Sequence, residues 1–548
     1  MDEAVRQTAS EAFDYIIVGA GTAGCVLANR LSADPSVRVC LLEAGGPDNK
    51  ATIRVPAAVA AAIGDPSLGW GYATAPQEAA NGKTVPLPRG RVIGGSSSIN
   101  GMVYFRGHPR DFDDWAAVHG ATGWSYDELL PYFKRSEANK AWPNSIYHGV
   151  SGPMAVTDIP HPNPLIGRFL DAATTLQYRR CADFNGPDPE GFGPRQATIY
   201  KGRRVSMASA FLDPARRRPN LTVMTDAAVA KVLIDQGRAT GVELIKGGRR
   251  LDARREVIVS AGSYASPQVL MLSGIGDGKA LSALGIEVKH DLPAVGRNLG
   301  DHPAAPVAMR TQHPESYGLS WRALPRDLWN LAEYALFRGG PLASFLLEGH
   351  GFIRSRPDLD RPDLQLVMIP AHRNASGYPI PFGHGFGIIS INVRAKSRGS
   401  VTLASPDPSA PPVIDPRLLS EPEDLEAVVR GLNLARRFFQ TPAFEVCKAN
   451  EIMPGAEVQG DAALADYVRK AVVTVHHPSG TCRMGAGDNT VVDAQLRVRG
   501  VEGLRVADAS VFPDIIAGNT NAAVVMVAEK AADLILGKPA LPAEHAPH

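Results

Sequence analysis

The sequence lacks several features by which whole classes of protein are recognised. It has no apolar run approaching the roughly 20 residues that a membrane-spanning helix needs. Residues 1–7 include acidic side chains and no apolar core, so we expect no secretory signal there. The net charge is only +1, and this near balance disfavours nucleic acid and acidic membrane surfaces as partners.

Cysteine is also scarce. The chain of 548 residues has five cysteines, an odd number without the spacing of a metal site. We therefore expect no metal centre and a reducing, cytoplasmic location. Aromatic residues make up 7%, whereas there are 54 glycines and 44 prolines, which favours a loop-rich enzyme over a helical bundle. The proline-rich tail from Lys538 is expected to be disordered.

The strongest local pattern lies near the N-terminus. Residues 13–18 are apolar and partly β-branched, as in a buried parallel strand, and they lead into Gly19-Ala20-Gly21-Thr22-Ala23-Gly24. In such a turn Gly19 makes the bend, Gly21 lets the backbone approach a pyrophosphate, and Gly24 lets the following helix pack closely on the strand. The pyrophosphate is expected on the free amides at the helix N-terminus.

A second strand follows at residues 37–42 and ends in Glu43, nineteen residues after Gly24. An acid at that distance accepts hydrogen bonds from the hydroxyls of an adenosine ribose. A glycine pattern by itself occurs often by chance. Strand, helix, strand and acid in register are far less frequent, so this segment predicts an adenine-dinucleotide site.

A second glycine-rich loop covers residues 88–102, with the letters PRGRVIGGSSSINGM. Small residues and hydroxyls of this kind form a backbone concavity that donates amides to a phosphate or a polarised ring. The alternative is a flexible linker. The flanking Arg91 and Asn100, and the absence of low complexity on either side, favour a binding loop.

The two segments together resemble the glucose–methanol–choline family of FAD-dependent oxidoreductases. Further stretches agree with that family in collinear order and extend the resemblance over nearly the whole chain: 204–212, 219–221, 262–268, 274–276, 295–302, 477–481, 506–510 and 518–521. Several long motifs in order are much more specific than one.

The resemblance implies an α/β fold, in which a Rossmann-type FAD-binding domain is interleaved with a substrate domain built on an antiparallel sheet capped by helices. We place the FAD-binding domain at residues 1–160, 200–302 and 466–548, and the substrate-binding domain at 161–199 and 303–465. The sequence supports this interleaving, because Val223, 229–234, 241–242 and 257–259 are short β-rich pieces separated by turns.

Residues 303–465 differ in character and contain many prolines. Their aromatic residues are expected to form the wall of an apolar substrate pocket; they include Trp321, Trp329, Phe345, Phe352 and Phe382.

Two adjacent histidines precede Pro478 in a polar loop. By the family pattern His477 is the catalytic base, and the restricted backbone before a proline helps to hold it. An imidazole accepts a hydroxyl proton at neutral pH while hydride passes to flavin N5. His476 is expected in the wall of the substrate pocket, and a metal site is disfavoured because acidic and cysteine partners are missing.

Asn519 occupies a family position that carries His or Asn, and it is the second expected catalytic residue. It precedes residues 522–536, which have helical periodicity. Asn519, Thr520 or Asn521 is expected to cap that helix. The resemblance aims the helix N-terminus at the flavin pyrimidine edge, where it stabilises negative charge.

The motifs and the resemblance together predict the cofactor contacts. They are Gly19, Gly21, Thr22, Ala23, Gly24, Glu43, Ala44, Arg91, Gly95, Ser96, Asn100, Gly101, Met102, Val103, Val229, Asp508, Ala509, Thr520 and Asn521. Some relatives attach FAD through a histidine immediately before the asparagine of the second loop. That position is Ile99 here, which has no nucleophile, so we expect non-covalent FAD.

The stretches 480–485 and 517–523 are most similar to bacterial alcohol and choline dehydrogenases. The resemblance therefore implies oxidation of a primary alcohol to an aldehyde, with electrons passed to a quinone, a dye or another acceptor. An oxidase that uses dioxygen is the alternative, and a lyase or a photodecarboxylase of the same fold is less favoured. Choline is disfavoured because no aromatic cage for a quaternary ammonium is recognisable in the sequence.

Overall fold

The structure is a computed structural model that describes residues 11–159, 162–345, 347–372 and 382–547. The strands of its two large sheets are, in chain order, β1 (Glu11–Val18), β2 (Val39–Leu42), β3 (Gly191–Pro194), β4 (Leu221–Met224), β5 (Val229–Asp235), β6 (Arg238–Leu244), β7 (Arg250–Val259), β8 (Pro303–Thr311), β9 (Gly349–Ile353), β10 (Leu364–Ile369), β11 (His384–Asn392), β12 (Asn450–Met453), β13 (Val473–Thr474) and β14 (Leu504–Val506).

The longer helices are α1 (Thr22–Leu31), α2 (Pro109–Ala117), α3 (Tyr126–Ser136), α4 (Pro164–Thr175), α5 (Gly262–Leu272), α6 (Leu324–Phe337), α7 (Pro422–Phe439), α8 (Gly460–Ala471) and α9 (Asn521–Ile535). Shorter helices cover Ala51–Arg54, Val59–Gly64, Asp213–Ala215, Gly278–Ala283 and Pro442–Glu445. A small four-stranded sheet joins Val103–Tyr104, Gln196–Ala197, Met154–Asp158 and Glu137–Asn139.

The first large sheet has the order β4-β2-β1-β7-β6-β5, with β14 paired to β7. The pairs β4–β2, β2–β1, β1–β7 and β7–β14 are parallel, whereas β5 and β6 add an antiparallel edge. Ile16 and Ile17 of β1 are completely buried, as the apolar run at residues 13–18 predicts for a strand covered on both faces. The helices α1 and α9 pack against each other beside this sheet.

The second large sheet has the order β12-β8-β11-β10-β9-β3, with β13 paired to β8. All of its pairs are antiparallel. The amphipathic helix α7 covers it and buries Val428 and Phe438 in a core with Leu366 and Ile388. A Rossmann-type sheet and a helix-capped antiparallel sheet therefore confirm the fold class that the sequence predicts.

The chain crosses between the two sheets several times. Strands of the first sheet come from residues 11–42, 221–259 and 504–506, and strands of the second from 191–194, 303–392 and 450–474. The short strand β13 belongs to the second sheet although it lies beyond residue 466, where the last FAD-binding segment is expected to begin. The domain boundaries themselves stay a prediction.

The aromatic residues expected around a substrate pocket mostly lie elsewhere. Trp321, Trp329 and Phe382 are 81%, 66% and 62% exposed, so that part of the expectation is wrong. Phe352 is buried against Phe105 at a centroid distance of 4.6 Å. Only Phe345 of the five lines the cavity described below. Trp329 lies on an exposed face of α6, and Trp321 and Phe382 pack against each other on the surface, with their ring centroids 6.3 Å apart.

The C-terminal tail is ordered over its described residues, contrary to expectation. The Leu541 amide donates to the Tyr132 hydroxyl at 3.1 Å, and Glu544 forms an ion pair with Lys134. The Tyr147 hydroxyl donates to the Pro547 carbonyl at 2.6 Å. These contacts to α3 and the following loop tie down a segment whose proline content suggests disorder. Among the described helices, none combines the length and apolarity required to traverse a bilayer.

Candidate active site

A cavity of about 1730 Å³ lies between the two large sheets. Its walls include Val18 and Val229 of the first sheet and Val307, Gln365 and Ile388 of the second. Pockets for one small molecule are typically about 300–1,000 Å³. The cavity is therefore large enough for a dinucleotide cofactor together with a substrate.

The structure brings almost every predicted site residue to this one cavity. Its lining contains Gly19, Gly21, Thr22, Ala23, Glu43, Ala44, Arg91, Gly95, Ser96, Asn100, Gly101, Met102, Val103, Val229, His476, His477, Asp508, Ala509, Asn519, Thr520 and Asn521. Gly24 is the exception. A Cβ atom at Gly24 would lie 1.9 Å from the Gly19 carbonyl oxygen, so this glycine allows α1 to pack on the turn and does not face the cavity.

The turn after β1 leaves space where an anion is expected. A Cβ atom at Gly21 would meet no protein atom closer than the Ser260 carbonyl oxygen, at 4.0 Å. A Cβ atom at Gly95 in the second loop would lie only 2.7 Å from the Gly21 Cα atom. The two glycine-rich loops therefore touch each other through backbone, and their amides border the same part of the cavity.

Two helix N-termini meet at this point. Thr22 at the start of α1 donates from Oγ1 to Asn521 Oδ1 at the start of α9, at 2.9 Å. Neither helix has a side-chain cap at its N-cap position, which is Gly21 for α1 and Thr520 for α9. The uncapped amides and the positive ends of two helix dipoles give this region a positive potential that suits a pyrophosphate or a reduced ring.

Of the three residues expected to cap α9, Thr520 holds the N-cap position, but its side chain does not form the hydrogen bond expected of a cap, and that part of the expectation is wrong. Asn521 is engaged with Thr22, and Asn519 is turned toward His477. Both asparagine side chains therefore contact residues that are distant in the sequence, and the first backbone amides of α9 stay free to bind a ligand in the cavity.

Glu43 is buried at the end of β2. Its carboxylate accepts hydrogen bonds from the Ala20 amide at 3.0 Å and the Gly45 amide at 2.8 Å. Burial raises the pKa of Glu43 to about 7, although the two amides partly oppose this effect. Each carboxylate oxygen retains a lone pair for a ribose hydroxyl.

The second loop is held from behind by Arg204. The guanidinium donates to the Asn100 carbonyl at 2.6 Å and to Asn100 Oδ1 at 2.8 Å. Asn100 Oδ1 also accepts from the Met102 amide at 2.9 Å. Ile99 is buried in this loop and lines the cavity, so the chain presents an aliphatic side chain at this position.

Asp508 is buried and organises two elements by accepting hydrogen bonds. Its carboxylate accepts from the Gly262 amide at 2.8 Å and from Ser266 Oγ at 2.5 Å, which secures the first turn of α5. Its other oxygen accepts from the Ser510 amide at 2.7 Å. The side chain thus has three partners within the chain, and Asp508 nevertheless borders the cavity.

His477 lies on the cavity wall between three partners. Its backbone amide donates to Asp301 Oδ1 at 2.9 Å. Its Nδ1 atom lies 3.1 Å from Nδ1 of His302, and its Nε2 atom lies 3.0 Å from Nδ2 of Asn519. Burial, followed by the neighbouring His302, His476 and Arg89, lowers the pKa of His477 well below its ordinary value. The imidazole is therefore neutral at neutral pH and can accept a proton.

Two residues of this group are missing from the predicted site, Asp301 and His302. Asp301 Oδ1 also accepts from the His302 amide at 2.8 Å, so one carboxylate holds both histidine backbones. Burial lowers the pKa of His302 to about 3 and raises the pKa of Asp301 to about 6. The only sequence signal was the Asp-His pair that ends the motif at residues 295–302.

His476 also borders the cavity. Its φ of +65° lies in the left-handed region, which non-glycine residues rarely adopt. Its carbonyl oxygen accepts from Arg89 Nη2 at 2.6 Å, and its Nδ1 lies 3.2 Å from Thr474 Oγ1. This local backbone conformation lets two successive imidazoles reach one cavity.

Arg195 lines the cavity and is a third residue that sequence reasoning missed. It follows β3 and is 3% exposed. Its Nη1 atom makes one long contact of 3.4 Å to the Leu347 carbonyl. Nothing in the sequence around Arg195 distinguishes it from a surface arginine.

One group of described residues outside the cavity brings potential metal ligands together: His313, Glu315 and Cys447. Both carboxylate oxygens of Glu315 accept hydrogen bonds from Arg168 at 2.8 Å. An arginine in this position competes with a cation for the carboxylate.

A nucleotide-type turn thus opens into the same cavity as a buried neutral imidazole, an arrangement that a flavin-dependent oxidoreductase requires. Residues 13–304 and 395–528 match the family described as GMC oxidoreductase, and the chain belongs to that family. It is accordingly an FAD-dependent oxidoreductase that acts on CH–OH groups. The family resemblance seen in the sequence is confirmed.

Curated relatives resemble the chain over almost its full length. An "Alcohol dehydrogenase [acceptor]" of Pseudomonas putida is 42% identical over 530 residues, which is 96% of each chain. An "Oxygen-dependent choline dehydrogenase" of Rhizobium etli is 44% identical over 532 residues, again 96% of each. Among solved structures, pyridoxine 4-oxidase from Mesorbium loti is 32% identical with a TM-score of 0.84, and the match covers 95% of this chain and 98% of that one.

The residues present fit FAD. The cavity has the required volume, and two uncapped helix N-termini and two touching glycine loops border it. Asn519 Oδ1 is buried without a partner among the described residues, which is a cost that a bound group can relieve.

Proposed function

We propose that this protein oxidises a primary alcohol to an aldehyde, with Nε2 of His477 as the proton acceptor. The observation that carries this proposal is the contact between His477 Nε2 and Asn519 Nδ2, at 3.0 Å, on the cavity that both helix N-termini face. An alcohol oxygen placed against both atoms gives its proton to the imidazole and accepts a hydrogen bond from the amide.

The tautomer of His477 follows from this role. A base at Nε2 must carry its own proton on Nδ1, and Nδ1 then donates to Nδ1 of His302, 3.1 Å away. His302 can accept because burial keeps it neutral, with its pKa lowered to about 3. His302 is thus a positioning residue, which holds the ring and presents the free lone pair to the substrate.

Bound FAD supplies N5 as the acceptor of the hydride that leaves the carbinol carbon. The N-terminus of α9 stabilises the accompanying negative charge with its uncapped amides. Gly21, Glu43 and Val229 would hold the adenosine diphosphate part of FAD, and the loop around Ser96 and Asn100 would hold the flavin side. His476 forms part of the substrate wall.

FAD is held without a covalent bond, since Ile99 offers no nucleophile at the attachment position. We expect acid precipitation of the purified protein to leave all of the yellow colour in the supernatant. Flavin absorbance that stays with the washed protein pellet contradicts this expectation.

The domain division at residues 1–160, 200–302 and 466–548 against 161–199 and 303–465 is part of the same proposal. Support comes from the two sheets, which both contribute residues to the lining of the cavity. Electrons then pass to a quinone or another acceptor. One relative is named for an acceptor and another for oxygen, so direct use of dioxygen is the second candidate.

The experiment is anaerobic titration of the holoenzyme with a panel of primary alcohols, followed by loss of the oxidised flavin band. We expect bleaching by at least one alcohol class and formation of the aldehyde in equal amount. Re-oxidation by a quinone and by dioxygen is then timed separately. Turnover of a compound without any bleaching would indicate lyase chemistry and reject the proposal.

A further inference from the structure

Arg195 is a buried cation that no acid in the described structure neutralises. The residue is 3% exposed and lines the cavity. Its backbone amide donates to the Glu348 carbonyl at 3.0 Å, and its Nη1 makes only the 3.4 Å contact to Leu347. Its Nε is buried and has no hydrogen-bond partner among the described residues.

Other buried arginines in this molecule have partners. Arg106 forms an ion pair with Glu137 and donates to the Tyr147 carbonyl at 2.7 Å. Arg361 pairs with Asp111 and Asp114. Arg204 has no acid, but it donates to three oxygen atoms of Ile53 and Asn100. Arg195 differs from all three.

Glu348, whose backbone carbonyl accepts from the Arg195 amide, does not neutralise the guanidinium with its side chain. Glu348 is buried, and it accepts from the Asn163 amide at 2.6 Å, Ser344 Oγ at 2.7 Å and the Tyr317 hydroxyl at 3.2 Å. Burial lowers the pKa of Arg195 to about 9, and no carboxylate opposes that effect. The guanidinium is nevertheless charged at neutral pH.

A buried charge without a partner lowers the stability of the folded protein unless a ligand of opposite charge pairs with it. The surroundings of Arg195 place that ligand on the substrate side. Leu347, which Nη1 of Arg195 contacts, and Gln365 of β10 in the second sheet line the same cavity as Arg195. The pyrophosphate position at Gly21 and the N-terminus of α1 is built from the first sheet.

We propose that Arg195 binds a carboxylate of the substrate, so that the substrate is a primary alcohol with an acidic group at its other end. The alcohol end of this inference rests on the proposed function, whereas the anion subsite does not. A carboxylate accepts two parallel hydrogen bonds from the guanidinium fork. The apolar Leu347 and Val367 in the same wall exclude water and strengthen the pairing.

The test compares matched alcohols that differ only in charge. The pairs are 4-(hydroxymethyl)benzoate with its methyl ester, and 6-hydroxyhexanoate with its methyl ester. The measured quantity is the ratio of kcat/KM for acid and ester. We expect the wild type to prefer the acid of at least one pair, and Arg195→Met to lower the ratio by roughly ten- to a hundredfold, as for loss of a charged hydrogen bond.

Two further variants separate charge from folding. Arg195→Lys keeps the charge and should recover part of the preference. Arg322→Met removes an exposed arginine outside the cavity lining and should leave the ratio unchanged. If Arg195→Met does not fold, the comparison of Arg195→Lys with the wild type still decides, because a purely structural arginine predicts equal ratios in both.

A binding measurement is independent of turnover. Benzoate and hexanoate are titrated into the holoenzyme while the flavin absorption spectrum is recorded. We expect saturable binding of at least one acid in the wild type and at least tenfold weaker binding in Arg195→Met. Equal acid-to-ester ratios in both proteins, or an Arg195→Met protein that purifies without FAD, overturn the subsite. If no alcohol bleaches the flavin, the proposed function fails while this titration still decides the subsite.

Discussion

His477 contacts a different partner with each of its three nitrogen atoms. Asp301 Oδ1 accepts a hydrogen bond from the His477 backbone amide. His302 lies against Nδ1 of the ring, and Asn519 lies against Nε2. Two separate stretches of chain, at residues 301–302 and at Asn519, therefore determine the orientation of one ring. Since neutral partners surround the ring atoms, the residue can change protonation state without breaking an ion pair.

Substitutions at this cluster separate chemistry from cofactor binding. His477→Ala should retain FAD, because the nucleotide contacts lie elsewhere, and should slow flavin reduction by roughly a hundred- to ten-thousandfold. Asn519→Ala should cost less, through loss of the hydrogen bond to the substrate oxygen. His476→Ala should mainly change substrate preference. Stopped-flow reduction under anaerobic conditions with saturating alcohol measures all three.

The three variants serve as controls for one another. If His477→Ala reduces flavin at the wild-type rate while His476→Ala is strongly slowed, the base is His476 and not His477. Wild-type rates in both variants would reject base-assisted alcohol oxidation.

The pH dependence of flavin reduction follows from the lowered pKa of His477. A base works only when unprotonated, so activity is lost as the pH falls through its pKa. Because this pKa lies well below the ordinary value, the reduction rate constant should stay level through neutral pH and decline only well below about pH 6.5. A decline centred at or above pH 6.5 in stopped-flow data would contradict the buried, neutral imidazole.

At the scale of secondary-structure elements, the starts of α1 and α9 act as a unit. The contact between Thr22 and Asn521 joins elements 499 residues apart. Both helices leave their first amides open to the cavity because no side chain caps them. An anion bound there would accept hydrogen bonds from the free amides of both helices.

A side chain at Gly21 should block this position. Because the space beside Gly21 is open on the protein side, Gly21→Val can fold, yet its side chain projects to where the pyrophosphate must approach. We expect purified Gly21→Val to contain little flavin, as judged by the ratio of absorbance at 450 nm (roughly the flavin maximum) to protein absorbance.

The matched control is Gly167→Val. This glycine lies exposed within α4, and a Cβ atom there would meet nothing within 4 Å. It should purify with full flavin. Full occupancy in Gly21→Val as well would place the dinucleotide elsewhere.

At the scale of the whole molecule, one cavity joins the two sheets, and its lining comes from both termini and from the middle of the chain. A ligand that fills it ties these parts together and stabilises only the folded state. At a free concentration a thousand times Kd, this stabilisation amounts to about 4 kcal/mol.

Removal of FAD should therefore lower Tm, and added FAD should restore it in a concentration-dependent way. Riboflavin should restore much less, because it lacks the adenosine diphosphate part expected at Gly21, Glu43 and Val229. Differential scanning fluorimetry of the apoprotein measures both effects. Equal recovery with riboflavin would show that the first glycine turn does not hold the nucleotide.

The sequence by itself determined the nucleotide-binding unit and the class of chemistry. Gly19 to Glu43 spans 25 consecutive residues, so strand, turn, helix and acid are related by local geometry that periodicity and spacing encode. The position of His477 before Pro478 and of Asn519 before a helix could likewise be inferred from linear motifs. Their place on one cavity agrees with that inference.

Only the tertiary structure decided the partners of these residues. His302 lies 175 residues from His477 along the chain, and no local pattern records that their rings meet. Asn519 and Asn521, at the start of α9, are predicted from the sequence as helix caps, because asparagine is favoured at that position. In the structure their side chains instead contact His477 and Thr22, which are distant in the sequence. Arg195 looks like any arginine in sequence. Whether an acid lies near Arg195 is decided by the residues that surround it in the fold, and these come together only when β3, β9 and β10 pair.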